Sequence, residues 1–249
     1  MKILAVLFVL FLFIAGCEKK PACPNSLVLT ATTLTPTVGD DVVISAPDPG
    51  TTNVVYQWNG PGTNLTNQSS TLDLNDIKLS QSGIYYCNLG NTDCNTSLGD
   101  SIVINVQLKQ ETPPCNITNN TVTASSIPGT TFGSVTKSYG GTWNTMNLDA
   151  SAASFGYPSY TVLFNSYNGN VEPRDGVYTT ANVAVFSPLQ EPNEISISFI
   201  YASNYFHCRP GNKVYVSHVN GKLQVNFCNL EFASPPFVTT CSGKITQTN

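Results

Sequence analysis

Few side chains in this sequence have the types and spacing that catalysis needs. A serine or cysteine nucleophile needs a base, most often histidine, and the chain has only two histidines, His207 and His218. His207 is adjacent to Cys208, but neighbouring residues of a strand point to opposite faces, so this pair is poorly placed to react together. His218 faces Leu223 in a predicted hairpin, and we interpret it as structural. The sequence contains no G-x-S-x-G, HExxH or P-loop motif.

Two pairs of carboxylates are the remaining candidates for acid–base chemistry. A glycosidase needs two carboxyl groups held a few ångströms apart. The pairs are Glu172 with Asp175 in EPRDG and Glu191 with Glu194 in EPNE. Both lie beside Pro or Gly in predicted turns, where solvated charges are ordinary. We therefore predict that the protein is not an enzyme and has no catalytic residue and no cofactor. Because the cysteines do not have zinc-ligand spacing, we also predict no metal site.

Aromatic side chains in predicted turns are better candidates for a binding site. Trp143, Tyr157 and Tyr167 lie in or beside Gly-, Pro- and Asn-rich stretches of the second half of the chain. Exposed aromatic faces can pack against sugar rings or peptide side chains. The alternative is that these rings pack in the core or against the turns. We predict these three residues as ligand contacts.

The composition argues against nucleic acid as a partner. Charged residues make up 10% of the chain, compared with about 25% in an average soluble protein. The formal net charge is −4, and the few Lys and Arg residues form no basic run beyond Lys19-Lys20. Ser, Thr and Asn account for 77 of the 249 residues. A neutral surface rich in hydroxyl and amide groups favours an exported β protein.

The N-terminus has the order of a secretory signal peptide. Lys2 precedes an apolar run, Ile3 to Ala15, which is too short to span a bilayer. The next residues complete Ile14-Ala15-Gly16-Cys17, which resembles the lipobox of bacterial lipoproteins. The resemblance implies a signal peptide over residues 1–16, a lipid on Cys17, and a membrane-anchored tether over residues 17–22. In lipoproteins of this kind, an Asp directly after the lipidated Cys favours retention in the inner membrane. Residue 18 is Glu instead, which points to the outer membrane or cell surface.

Residues 23–107 are predicted to form a β-sandwich of short strands between turn signals. Trp58 lies on the third strand, and QSGIYYC places Tyr85 two residues before Cys87. With the run Leu72 to Ile77, these positions resemble an immunoglobulin-like domain, although Gln81 stands where that family usually has Asp. The resemblance implies that Trp58 is buried and that Tyr85 forms a tyrosine corner.

Cys87 lacks its usual partner, because Ala46 occupies the position where the family has the other cysteine. We therefore predict Cys87 to be a buried, unpaired thiol. Similar modules of Bacteroidota surface proteins carry cysteines near positions 23 and 94, which implies a Cys23–Cys94 bridge. A Cys87–Cys94 bridge is the alternative. Asp100-Ser101-Ile102 resembles the short O-glycosylation motif of the same group of bacteria.

Residues 108–114 form a predicted linker containing Pro113-Pro114, and residues 115–249 a second antiparallel β-sandwich of nine or ten strands. EISISFIY alternates apolar and polar residues, and KVYVSHVNGKLQVNF predicts a hairpin around Asn220-Gly221. Four cysteines remain, enough for two bridges in unknown pairing: Cys115, Cys208, Cys228 and Cys241. We interpret Cys208 as bridged. With Cys17 lipidated, this leaves one free thiol, assigned to Cys87.

These patterns predict a lipid-anchored envelope protein of all-β class. The first hypothesis is a non-enzymatic binding or adhesion module that recognises another protein or a matrix. The alternative is a glycan-binding surface lipoprotein, similar in layout to the starch-utilisation type, which contacts sugars through Trp143, Tyr157 and Tyr167. The C-terminal domain also resembles uncharacterised domains of Bacteroidota surface lipoproteins, through DGVYTT and GKLQVNFCNLEF, and this implies no functional residues.

Overall fold

The fold was analysed in a computed structural model that describes residues 23, 25–50, 53–62, 69–92, 94–140, 145–154, 157–165, 172–181 and 191–248. Of the described residues, 59% lie in strands and 2% in helix, and the sheets are sandwich-like and antiparallel apart from one parallel strand pair, so the predicted all-β class is confirmed. Within those ranges, no helix has the length and apolar character needed to cross a bilayer.

The chain divides into two compact units. The first contains the described residues up to Thr32, with Val43–Asp73 and Ile84–Ile102, and the second contains Thr33–Val42, Leu74–Gly83 and the chain from Val103 onward. The units differ in extent from the predicted domains 23–107 and 115–249, whose boundaries stay a prediction. Val38 and Leu79 belong to the second unit, where they pack against its main hydrophobic core.

The first six strands form two three-stranded sheets, ordered β1-β2-β4 and β3-β5-β6. Immunoglobulin-type sandwiches divide their strands in a similar way, but with a fourth strand in the first sheet. A 3₁₀ turn at Leu79–Gln81 precedes β5. The strands are β1 Thr30–Ala31, β2 Val42–Ser45, β3 Val54–Asn59, β4 Thr71–Leu74, β5 Gly83–Asn91 and β6 Thr96–Ile104.

The inward faces of these strands follow the two-residue period of a half-buried sheet. Trp58 and Cys87 face each other across β3 and β5, and both are buried with Tyr85, as predicted. The Trp58 indole Nε1 donates a hydrogen bond to the Ser69 carbonyl at 2.9 Å, which satisfies the polar atom of this buried ring. Cys87 is a free thiol. Gly60 lies against the Tyr85 ring, where a Cβ would overlap it.

Ten further strands in the described residues form one sheet, ordered β10-β9-β8-β7-β16-β15-β13-β12-β11-β14. Additional pairing of β10 with β12 closes this sheet into a circuit, so its inward faces enclose one core. The strands are β7 Thr121–Ala124, β8 Thr130–Gly140, β9 Thr145–Ala152, β10 Ser159–Asn165, β11 Gly176–Thr180, β12 Glu194–Tyr201, β13 Asn204–Cys208, β14 Lys213–Val219, β15 Lys222–Ser234 and β16 Phe237–Thr246.

An aromatic cluster fills the enclosed core. Phe199 stacks on Phe206 with ring centroids 4.6 Å apart, and Tyr160 lies 4.7 Å from Phe199. The β14–β15 hairpin has the predicted register, with Val216 opposite Val225 and His218 opposite Leu223. In this hairpin, alternation therefore sends Val214, Val216 and Val225 into the core.

Two disulfides connect distant parts of the chain. Cys23 pairs with Cys94, which is the predicted bridge, and Cys115 pairs with Cys228, with Cα atoms 5.7 and 5.8 Å apart respectively. Residue 228 lies where the register of β15 with β16 shifts, between Phe227 and Leu230.

The predicted second bridge of the C-terminal region is wrong, because Cys208 and Cys241 are both free and buried. Cys208 pairs with Phe232 on one side of β15, and Cys241 pairs with Leu230 on the other. Strands two positions apart in a sheet are separated by about 9–10 Å, whereas a disulfide needs Cα atoms about 4.4–6.8 Å apart. Three described cysteines, rather than one, are therefore free.

Candidate functional site

Tyr157 is the one predicted ligand contact that falls within the described residues. It is 47% exposed and lines a shallow depression of about 840 Å³ together with Ile200 and Tyr201. Trp143 and Tyr167 lie outside the described residues, as does Cys17. Ser101 lies on β6 and is exposed. The depression therefore carries the predicted aromatic character through Tyr157, with Tyr201 as an aromatic neighbour that the sequence analysis missed.

The strands and a tight turn position this depression. Ser159 at the start of β10 pairs with Ile200 on β12, which places Ile200 beside the Tyr157 segment. Tyr201 pairs with Asn204, so Ala202 and Ser203 form the two-residue turn between β12 and β13. Both have positive φ, 48° and 64°, in a turn that usually takes Asn-Gly. Strained backbone of this kind is concentrated at functional sites.

The predicted carboxylates Glu172 and Asp175 are brought together by His218. The His218 Nδ1 atom lies 2.5 Å from Asp175 Oδ1, and Nε2 lies 3.4 Å from Glu172 Oε1. Lys137 Nζ donates to Glu172 Oε1 at 2.8 Å, and its ammonium lies 5.8 Å from the Tyr139 ring centroid. His218 is therefore part of a charge cluster, and its predicted structural role becomes that of a bridge between two carboxylates.

The electrostatics of this cluster do not suit a general acid. The hydrogen bond from Lys137 lowers the pKa of Glu172, and the Lys137 and His218 charges add to this effect. A carboxylic acid that donates a proton near neutral pH needs a raised pKa. The second predicted pair is also engaged, since Glu194 Oε2 accepts a hydrogen bond from the Glu191 N–H at 3.1 Å.

His207 and Cys208 do not form a nucleophilic pair. Cys208 is buried in the core, where burial raises the pKa of its thiol to about 11 and Sγ accepts a hydrogen bond from the Ile197 N–H at 3.3 Å. The His207 ring contacts the Tyr205 ring, with centroids 4.5 Å apart. Among the described residues, no group of three His, Cys, Asp or Glu side chains is arranged to hold a metal ion.

A pocket of about 390 Å³ on the outer face of the large sheet was not predicted from the sequence. Its floor is a row of side chains in register across three strands, since Tyr215 on β14 pairs with Asn226 on β15, which pairs with Lys244 on β16. Ser217 and Gln224 form the next row. Tyr215 and Asn226 are only 8% and 5% exposed. Such burial is unusual for outward-pointing residues, so another segment must cover them.

The covering segment is residues 110–116, which we call the strap. Gln110 Nε2 donates to the Asp175 carbonyl at 2.9 Å, and Lys213 Nζ pairs with Glu111 at 2.7 Å. At its far end the Cys115–Cys228 disulfide fixes the strap to β15. Just before the strap, Leu108 lies against Gly176, whose φ of 144° and missing Cβ permit the close approach. The roof of the pocket is thus held in place by contacts within the chain.

The comparisons with known proteins give no functional assignment. No family model matches the chain, and no curated protein matches it. Among solved structures, the three N-terminal domains of the highly immunogenic outer capsid protein (Hoc) of bacteriophage RB49 match over 84% of this chain and 69% of that chain. The sequence identity is 11% and the TM-score is 0.30, and a likeness this distant carries no argument.

Proposed function

We propose that this chain is a non-enzymatic binding protein of the bacterial cell envelope, held to the membrane by a lipid on Cys17. The lipobox-like N-terminus supports the anchor, and the two disulfides support an oxidising compartment outside the cytoplasm. The lowered pKa of Glu172 supports a role other than acid catalysis.

The observation that carries the proposal is the depression lined by Tyr157, Ile200 and Tyr201. Ile200 is 54% exposed and Tyr157 is 47% exposed, and no charged side chain of the described residues lines the depression with them. Exposed apolar and aromatic groups that cluster on a rigid surface mark interaction sites. A segment of another protein, such as a matrix protein, suits a depression that combines an aliphatic side chain with aromatic rings.

A glycan is the second candidate ligand, and the tyrosines favour it. Tyr157 and Tyr201 both border the depression. Tyrosine offers an apolar ring face together with a hydroxyl group that can hydrogen-bond to a sugar. A protein ligand predicts that the chain binds immobilised matrix proteins, whereas a glycan ligand predicts that it binds immobilised polysaccharides.

The test is binding of the full chain, and of its Tyr157→Ala/Ile200→Ser variant, to panels of immobilised matrix proteins and polysaccharides. We expect wild-type binding to one panel and a loss of about tenfold or more in the variant, since aromatic anchors dominate such interfaces. Tyr86→Ala is the matched control, because Tyr86 is 48% exposed on β5 of the β3-β5-β6 sheet, away from the depression. Absence of binding to both panels, or equal binding by the variant, would refute the proposal.

A further inference from the structure

The pocket beneath the strap has a charge pattern of its own. Two of its lining carboxylates are already paired, since Glu111 bonds to Lys213 and Asp175 bonds to His218. Lys244, by contrast, forms no ion pair with any residue that the structure describes. The ammonium of Lys244 is therefore the uncompensated charge of the pocket floor.

The remaining lining residues combine amides and hydroxyl groups with apolar surface, to which Pro113 and the Tyr215 ring contribute. Asn226, Gln224 and Gln110 contribute amides, and Thr112 and Ser217 contribute hydroxyl groups. An amide can both donate and accept hydrogen bonds, and so can a hydroxyl group. An apolar ligand would strip water from these groups without replacing its hydrogen bonds, which costs free energy. A ligand that carries many hydroxyl groups would replace them.

The size of the pocket restricts the ligand to a small molecule. Small-molecule sites typically enclose about 300–1,000 Å³, and this pocket, of about 390 Å³, lies at the lower end. A single lysine matches a singly charged group, because an ammonium acts as a point charge. A phosphate dianion is usually met by several cationic or N–H donors.

We propose that this pocket binds an acidic monosaccharide, with the sugar carboxylate paired to Lys244. Asn226 lies directly opposite Lys244 in the sheet and supplies an amide next to that carboxylate, while the strap covers the ring hydroxyl groups. This site is separate from the depression that contains Tyr157, since the two share no lining residue. Either site can therefore fail its test without affecting the other.

The test is titration of the full chain in detergent with glucuronate, glucose and acetate, followed by calorimetry and by NMR of the side-chain amides of Asn226 and Gln224. We expect glucuronate to bind about tenfold or more tightly than glucose or acetate, because charge-assisted and neutral hydrogen bonds then act together. Lys244→Gln should reduce glucuronate affinity to that of glucose. Asn226→Asp should do the same, because it places a carboxylate opposite Lys244.

Lys222→Gln is the control, since Lys222 lies on β15 outside the pocket and bonds to the Thr248 carbonyl. Unchanged thermal unfolding midpoints would show that the variants are folded. Absence of glucuronate binding by the wild type would overturn the proposal. Equal affinity for glucuronate and acetate, or retention of the glucuronate preference in a folded Lys244→Gln variant, would also overturn it.

Discussion

Glu172 shows how neighbouring side chains decide what a carboxyl group can do. In the sequence it is half of a candidate carboxylate pair with Asp175, but in the folded chain Lys137 donates to it at 2.8 Å and His218 contacts the same oxygen. These charges stabilise the carboxylate and lower its pKa, while the same contact raises the pKa of Lys137. The neighbours of Glu172 thus favour the charged form of its carboxyl group.

The lowered pKa of Glu172 predicts a pH dependence of stability. A group whose pKa falls on folding stabilises the protein above its unfolded value, here the ordinary 4.5, and this contribution disappears as the pH drops through the folded value. We expect Lys137→Met to flatten the fall in unfolding free energy below pH 4.5 and to move the Glu172 pKa back toward its ordinary value. Denaturant unfolding at several pH values and an NMR titration measure both effects.

Lys222→Met controls for the loss of a surface lysine. It should leave the pKa of Glu172 unaltered, because Lys222 makes its contact with the Thr248 carbonyl. If the pKa of Glu172 did not move in Lys137→Met, the described contact would not be the cause of the shift.

At the scale of the strands, register decides which cysteines can pair. Cys208 and Cys241 lie on strands that flank β15, so the sheet itself keeps them apart. Burial raises the pKa of Cys87 and of Cys208 to about 11, and it also raises the pKa of Cys241, so these thiols stay protonated near neutral pH. Protonated, buried thiols are inert, because the thiolate is the reactive form.

Thiol alkylation can test this arrangement. We expect no labelling of Cys87, Cys208 or Cys241 in the native protein near neutral pH, and labelling of all three after denaturation without reductant. Mass spectrometry of the digested protein would identify the labelled residues. If the disulfides are reduced before the denatured protein is alkylated, the four bridged cysteines should be labelled as well, and they serve as the internal control. Labelling of Cys87 without Cys208 and Cys241 would mean that the latter two are bridged.

At the scale of the whole molecule, the chain combines disulfide-stabilised β-sheets with a predicted lipid anchor. Cys23–Cys94 and Cys115–Cys228 close loops with sequence separations of 71 and 113 residues. In the chain-entropy view, each such bridge stabilises the folded state by roughly 4–5 kcal/mol. Stabilisation of this kind suits a protein that works outside the cytoplasm.

The anchor predicts where the molecule is found. We expect Cys17→Ser to release the protein from the membrane fraction of a Gram-negative host, because several acyl chains on one residue hold a protein on a bilayer. Cell fractionation followed by immunoblotting measures the distribution. Glu18→Ser is the neighbouring control and should leave the protein in the membrane fraction. Membrane association that persists in Cys17→Ser would refute lipid anchoring at this residue.

Some of this structure follows from local sequence pattern. Alternation of apolar and polar residues, with Asn220-Gly221 as a turn, predicted the all-β class and the pairing of His218 with Leu223. The resemblance to immunoglobulin-like domains predicted that Trp58 and Cys87 are buried. Both side chains point to the same face of two adjacent strands, where they lie opposite each other. Strand identity and the inward or outward direction of a side chain depend on the two-residue period of a strand, which can be recognised in a short stretch of sequence.

The tertiary structure alone decided which distant residues meet. Lys244 shares a pocket with Glu111, and Lys137 and His218 both contact Glu172, although more than 70 residues separate His218 from Lys137. The tertiary structure also decided that Cys115 forms its disulfide with Cys228 and not with Cys208 or Cys241. Periodicity fixes the face on which a side chain lies, but the order of strands in a closed sheet fixes its neighbours. That order depends on how the whole core packs, which no local pattern records.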